Sequence, residues 1–398
     1  MNISLKKEFE ELIFARYKSA ISSASEIAEK YNIKIYLIGG IVRDLVLKNQ
    51  IKDIDIAVEH DAIEFAKILD KESEFEIIAV QENLRTAKVK FKNGVEIDFA
   101  STREETYTKS GVLPKAHNFG CKLEQDVKRR DFTINTLGLK LVGDDKFSLV
   151  DYYDGYSDIQ NKQIRVLHDK SFIDDPSRII RALKFKVRFD FELEEKTAIL
   201  MQEYLNNVDT VMPLERIKGE LKQYFSIPKD GLYQNLITTN AYKLIAINPI
   251  KEVDETIFQD DGSLWFVYFV LLLVNSEFDE RLNFTVIEKK ILAEVKEMMN
   301  SKTPISNLEI YNKYIDKNDI SLNIYYAVSK DKTVEKFLNA LKQIKVLITG
   351  KDLIELGFIP SAYFNELFEK ILQEKLDGKI QTREQELNFV KQFIKKEE

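Results

Sequence analysis

Asp53-Ile54-Asp55 sets two carboxylates two residues apart in an apolar segment, where strand alternation points both to one face. Two such charges repel unless a cation lies between them. Just upstream, Ile35-Tyr36-Leu37-Ile38 runs into Gly39-Gly40 and then Arg43-Asp44, the pattern of a buried strand entering a tight turn. Glycine lets backbone approach an anion, and the helix expected from Ile41 would aim its first amides at it. Arg43 could hold phosphate with Asp44 positioning it, or the two could be a surface pair. A further acid, Asp98, sits in Glu96-Ile97-Asp98-Phe99 on an expected neighbouring strand; Glu96 shares its face, so either could reach a metal. Three oxygen donors suit Mg²⁺, which keeps waters and substrate phosphates in its other positions. A bare D-x-D is also what ordinary surface acids on an exposed strand look like. The glycine turn before it is what favours chemistry.

Two more clusters follow. In Lys128-Arg129-Arg130-Asp131-Phe132-Thr133-Ile134-Asn135 the arginines suit phosphate oxygens, since a guanidinium can bond two at once. Asp131 and Asn135 are spaced one helical turn apart, to bind a ribose hydroxyl or cap the helix. Asp174-Asp175-Pro176-Ser177-Arg178 opens the run Ile179 to Phe189. Asp175 is a good N-cap and Pro176 a good first helical residue, and Arg178 and Arg181 would share a face with Arg188. The competing reading makes Asp175 and Arg178 an acceptor–donor pair aimed at a base.

These residues need elements to hold them. Residues 6–30 read as a helix, and strands are expected near 35–38, 53–58, 76–80, 87–91 and 95–100. A helix is expected over 61–70, and a hairpin over 85–99 turned at Lys92-Asn93-Gly94. Residues 104–122 show no period and read as a mobile loop. Eight of the 14 glycines lie at or before Gly155, and after Asp151 the chain reads as helices, including 335–347 and 361–376. With 398 residues the chain is long enough for several domains. A formal net charge of -7 argues against coating nucleic acid by bulk charge, though local patches decide binding. The lone Cys121 excludes a disulfide framework, and the longest apolar run, Leu264 to Val274, is too short to span a bilayer. A cytoplasmic protein with no membrane segment is expected.

Taken in order, G-G-x-x-R-D with D-I-D, R-R-D-F-T-I-N, and D-D-P-S-R-I-I-R-A-L-K-F resemble the class II tRNA nucleotidyltransferases and their relatives, the bacterial poly(A) polymerases. The match covers roughly residues 20–225, and Ile348 to Pro360 resembles the tail of many CCA-adding enzymes. The resemblance implies an α+β fold: a polymerase β-like nucleotidyltransferase head with a small mixed sheet (1–140), then an all-α neck (141–225), body (226–330) and tRNA-binding tail (331–398). It implies that Asp53 and Asp55 bind Mg²⁺, that Gly39, Gly40 and Arg43 face the triphosphate, and that Arg129, Arg130 and Asp131 contact phosphates and ribose. Asp175 and Arg178 would read the base, Arg216 and Glu220 would support the pocket, and the loop 104–122 would act in the change from C to A. Where the family's base-reading motif begins with Glu this chain has Asp174, left with the role of orienting Arg178.

The activity so implied is addition of CCA to the 3′ end of tRNA from CTP and ATP, without a nucleic-acid template. CC-only addition, A-only addition and poly(A) synthesis stand beside it, and from another class a catalytically silent RNA-binding protein. Lysines 342, 345, 351 and 370 are candidates for tRNA contact.

Overall fold

The computed structural model describes residues 3–51, 54–109, 112–208, 214–253, 255, 258, 264–276 and 279–394. The chain divides into two compact units. One comprises residues 1–229 with 238–244, the other 230–237 with 245–398.

The first unit opens with helices α1 (Lys6–Leu12) and α2 (Ala15–Lys30). Strand β1 (Ile35–Ile38) leads into helix α3 (Gly40–Val46), and β2 (Asp55–Val58) into α4 (Ala62–Glu72). Asp61 caps α4 by accepting from the Ile63 and Glu64 amides. Strands β3 (Phe75–Gln81), β4 (Thr86–Phe91) and β5 (Glu96–Ser101) follow, then the short hairpin β6 (Glu104–Thr106) and β7 (Lys115–His117). After a short helix α5 (Leu123–Asp126) come β8 (Gly138–Lys140) and β9 (Leu149–Val150). Seven strands form one mixed sheet in the order β3-β4-β5-β2-β1-β8-β9.

Alternation divides that sheet cleanly. Leu37, Ile56, Val89, Ile97 and Phe99 are buried on one face, where Phe65 of α4 meets Phe99 edge-on at 5.4 Å. On the other face Tyr36, Ile38 and Ala57 pack with Leu123 and Val127, covering only the β1 side. Towards β5 and β4 this second face stays open: Asp98 is 50% and Glu96 53% exposed.

The unit continues through helices α6 (Gly155–Gln160), α7 (Ser171–Asp174), α8 (Ser177–Phe189), α9 (Glu195–Asn206) and α10 (Leu214–Phe225). The second unit is helical among its described residues. It contains α11 (Leu232–Thr238), α12 (Leu264–Leu273), α13 (Val286–Asn300), α14 (Asn307–Tyr314), α15 (Asp319–Ser329), α16 (Lys332–Lys336), α17 (Gly350–Glu355), α18 (Tyr363–Leu376) and α19 (Arg383–Val390). The apolar run is α12, buried almost throughout, and among the described residues no helix is long and apolar enough to cross a membrane.

Several expectations need correction. The single helix over 6–30 is two, broken at Ile13–Phe14, where the backbone turns extended. The loop over 104–122 contains the β6–β7 hairpin, with Glu104 opposite His117; three-residue strands are too short to show a period. The helix over 335–347 is α16 followed by a π-helical turn, Phe337–Leu341.

Candidate active site

Strand register gathers the acids. Asp55 lies opposite Asp98 across the parallel pair β2–β5, and Asp98 opposite Lys88 across β5–β4. Residues in register share a face, so Lys88, Asp98 and Asp55 form a row on the open side of the sheet. Glu96 sits two residues back, level with Lys90, so Asp98 rather than Glu96 is the acid abreast of Asp55. Lys88 Nζ lies 3.1 Å from Asp98 Oδ2. Asp53 falls outside the described residues. Among the described residues no three acids, histidines or cysteines converge as a metal cluster. The donors that do stand here, Asp55 and Asp98, are carboxylate oxygens, the hard donor type that Mg²⁺ takes.

The glycine turn starts beside this row. β1 runs antiparallel to β2 with Leu37 opposite Ile56, which brings Ile38 level with Asp55. Gly39 follows at φ +75°, and its amide donates to the Leu137 carbonyl at 2.9 Å. A Cβ there would lie 2.6 Å from Arg130 Nη1. Gly39→Ala should therefore cost about 1–2 kcal/mol in backbone strain, before any displacement of Arg130; urea unfolding measures it. The helix begins at Gly40, one residue earlier than the sequence suggests.

From this turn a chain of bonded side chains runs across the unit. Arg43 donates Nε and Nη2 to the two carboxylate oxygens of Asp44 (3.0 and 3.1 Å) and Nη1 to Asn135 Oδ1 (2.6 Å). Its guanidinium lies 4.6 Å from the Phe189 ring centre and 5.3 Å from that of Phe185. Asn135 donates to Asp131 Oδ1 at 2.9 Å, and Asp131 Oδ2 accepts from Arg181 Nε at 2.8 Å, with Nη2 at 2.6 Å. Arg181 Nη1 then donates to Glu220 Oε1 at 3.0 Å, and Lys184 to Glu220 Oε2 at 2.6 Å. Asp131 and Asn135 thus meet as expected, but across an extended residue and a 3-10 turn (Thr133–Asn135) rather than along a helical face.

Charges in this chain shift one another. Burial alone would raise the Asp131 carboxyl, but the Arg181 guanidinium and the Asn135 amide outweigh it and hold it below the usual carboxylate range. Burial lowers Lys184, with Glu220 opposing it, while Asp131 and Glu220 push Arg181 upward against its own burial.

The second arginine pair is held by a residue the sequence reading passed over. Asp126, 1% exposed, accepts from Arg129 Nε on one oxygen (3.0 Å) and Arg130 Nη2 on the other (3.2 Å). Burial would raise Asp126; Arg130 and Arg129 overcome that and lower it. The only sequence signal was an acid three and four residues before two arginines.

Asp175 and Arg178 are both buried, at 2% and 3% exposure. Helix α8 begins at Ser177, so Asp175 does not cap at the expected position, yet its Oδ1 still accepts from the Ser177 amide at 3.1 Å. Its Oδ2 lies 3.8 Å from Arg178 Nε and 2.7 Å from Arg216 Nη2. Arg178 is oriented by Ser171 Oγ (2.7 Å), the Arg129 carbonyl (3.0 Å) and the Tyr107 hydroxyl (3.2 Å). Asp174 does not take that role: it faces His168 at 3.9 Å. Burial and the nearby Arg178 lower His168, so its imidazole favours the neutral form. Arg178, Asp174, His168, Tyr107 and Arg129 line one cavity of about 390 Å³. Arg181 points instead into the Asp131–Glu220 chain. Of the lysines singled out in the second unit, Lys342 is paired with Asp319 at 2.6 Å, and Lys370 stands 4.8 Å from the Phe393 ring centre.

Residues 35–165 match the family model of the poly A polymerase head domain. An A-adding tRNA nucleotidyltransferase of Geobacter sulfurreducens is 29% identical, the match covering 92% of this chain and 46% of that protein, so this chain spans less than half of that relative's length. An A-adding tRNA nucleotidyltransferase of Halalkalibacterium halodurans is also 29% identical, over 94% of this chain and 92% of its own. Among solved structures, the Thermotoga maritima CCA-adding enzyme complexed with tRNA-CCA aligns over 99% of each chain with a TM-score of 0.75 at 24% identity, a likeness of fold. The expected α+β architecture and the resemblance read from the motifs both stand: residues 35–165 match the poly A polymerase head domain, and the whole chain has a fold shared with CCA-adding enzymes.

Proposed function

We infer that the chain is an enzyme that transfers nucleoside monophosphates from ATP, or from CTP and ATP, to the 3′-hydroxyl of tRNA. The observation that carries this is the adjacency of the Asp55–Asp98 row to the Gly39 turn, from which the bonded chain through Arg43, Asn135 and Asp131 leads to α8, the helix bearing Arg178. Carboxylates for a metal, a turn for phosphates and a polar pocket for a base lie in one unit. The relatives named as tRNA nucleotidyltransferases support the substrate.

In the reaction, the RNA 3′-oxygen bonds to the α-phosphorus, the bond from that phosphorus to the bridging oxygen breaks, pyrophosphate leaves, and the hydroxyl proton passes to solvent. Mg²⁺ held by Asp53 and Asp55, with Asp98 abreast, would favour the ionised hydroxyl and neutralise charge on the leaving group. Gly39 and Gly40 give the triphosphate a close approach to backbone, with Arg43, steadied by Asp44, and Arg130 beside it. Arg129 would hold phosphate, and Asp131 with Asn135 the ribose. Asp175 accepts from the exocyclic amine that C and A carry, and Arg178 donates to a ring acceptor. U and G present a carbonyl oxygen to the same carboxylate, an acceptor facing an acceptor.

Arg178→Ala should therefore erode choice between C or A and U or G by about 1–3 kcal/mol. Incorporation of each nucleotide supplied singly reads this out, and retained selectivity would refute the base-reading role. Two finer readings differ in how many nucleotides are added. The motifs lead to full CCA, while the names of the two relatives favour a single terminal A. Offering tRNAs that end before CCA, after C and after CC, each with one nucleotide, separates these from CC-only and poly(A) activity.

A further inference from the structure

Asp55 has two sides along the sheet. On the β1 side stand the Gly39 turn, Arg43 and Arg130, assigned above to the nucleotide. In-line displacement puts the attacking hydroxyl and the leaving group on opposite sides of the reacting phosphorus, which leaves the β5–β4 side as the free approach for the RNA end. That side has a cavity of about 300 Å³ that, apart from Asp98 at its edge, the reading above does not use, lined in part by Arg16, Tyr17, Lys88, Asn93, Glu96 and Asp98. The Arg16 guanidinium lies 5.1 Å from the Tyr17 ring centre and 5.8 Å from that of Phe14, a ring 45% exposed at the break before α2. Lys88 Nζ lies 3.1 Å from Asp98 and 3.9 Å from Glu96. The walls are fixed to each other: Asn93, in the β4–β5 turn, donates its amide to the Arg16 carbonyl at 2.8 Å and to Ser19 Oγ at 3.2 Å.

We propose that this cavity seats the 3′-terminal nucleotide of the RNA acceptor. Glu96 and Asp98 accept from the cis-diol of its ribose, Arg16 and Lys88 engage the phosphate before it, and the Tyr17 ring offers a stacking surface, the means by which single-stranded RNA ends are held. The mixed charge fits this ligand: hydroxyls need acceptors, the phosphate needs cations, and a terminal nucleotide brings both within one sugar's reach. The proposal rests on the nucleotidyltransferase reading.

The test compares wild type with Arg16→Ala, Lys88→Ala and the double variant on tRNA lacking its 3′ end, with KM measured separately for tRNA and for nucleotide. The double variant should raise the tRNA KM roughly tenfold or more, as expected for lost charge-assisted contacts, while KM for ATP and CTP stays within about twofold. Arg16→Lys should recover part of the loss, which a fold defect would not allow. A tRNA KM unchanged in the double variant, or a nucleotide KM rising in step with it, overturns the proposal. If wild type adds nothing to any RNA, the enzymatic reading falls and takes the subsite with it. If wild type is active and the double variant matches it, only the subsite falls.

Discussion

Replacing Asp55 with alanine should lower nucleotide transfer about 10³-fold, the rate equivalent of roughly 4 kcal/mol of transition-state stabilisation, while leaving the fold intact. The two halves of that expectation have different origins. Asp55 is exposed at the start of β2, on the open face of the sheet, and substitutions at such places change stability by only about 0.5 kcal/mol. Its carboxylate, however, is the one described donor level with both Asp98 and the glycine turn. Incorporation of labelled nucleotide into tRNA, run beside a thermal melt, measures both. Wild-type transfer that survives the substitution would remove the metal role. A silent RNA-binding protein would show no transfer to lose.

Asp131→Ala should do the reverse, acting first on stability. Asp131 is 9% exposed and accepts from the Phe132 amide, from Asn135 and from Arg181. Removing it leaves the Arg181 guanidinium with Glu220 as its remaining acid and Asn135 with a lost acceptor. Breaking a buried ion pair from one side costs about 3–5 kcal/mol; Arg181 is 27% exposed, which places the expected loss at the lower end. Denaturant unfolding is the measurement, and Asp131→Asn, which keeps the shape, should lose less.

The pH dependence has a definite sign. The folded Asp131 carboxyl sits below its unfolded value, so its contribution is complete above the ordinary aspartate pKa of about 3.9 and fades as pH falls through the lower folded value. Asp126 is depressed in the same way. Wild type should thus lose stability on acidification below about pH 4, and the Asp131→Ala protein should show a shallower acid limb there.

What could be read from the sequence was what is local. A glycine pair after an apolar tetrapeptide, D-x-D, and an Asp-Pro-Ser-Arg helix start each declare themselves within a few residues, and the sheet strands near them followed from alternation. What could not be read were partners brought together by the fold. Nothing within the sequence neighbourhood of Arg43 foretells that Phe185 and Phe189 flank it, or that Asn135 takes its third donor. Tyr107 sits in a segment without period, and only the β6–β7 hairpin carries its hydroxyl to Arg178. Ser171 reaches the same guanidinium from seven residues upstream, but from a separate short helix, α7, so no single-helix spacing brings them together. The break at Ile13–Phe14 was masked because good helix formers continue on both sides of it.

The turn joining β4 to β5 has a practical consequence for anyone who modifies this protein. Surface hairpin tips are ordinarily the permissive places for tags, insertions and permuted ends. Here the tip is tethered through Asn93 to α2, and β5 must arrive in a register that sets Asp98 abreast of Asp55. One residue added or removed between Phe91 and Glu96 would invite a slip that turns Asp98 inward and Ile97 outward. An epitope spliced at 92–94 should therefore silence the protein while sparing most of its secondary structure, so labels belong elsewhere.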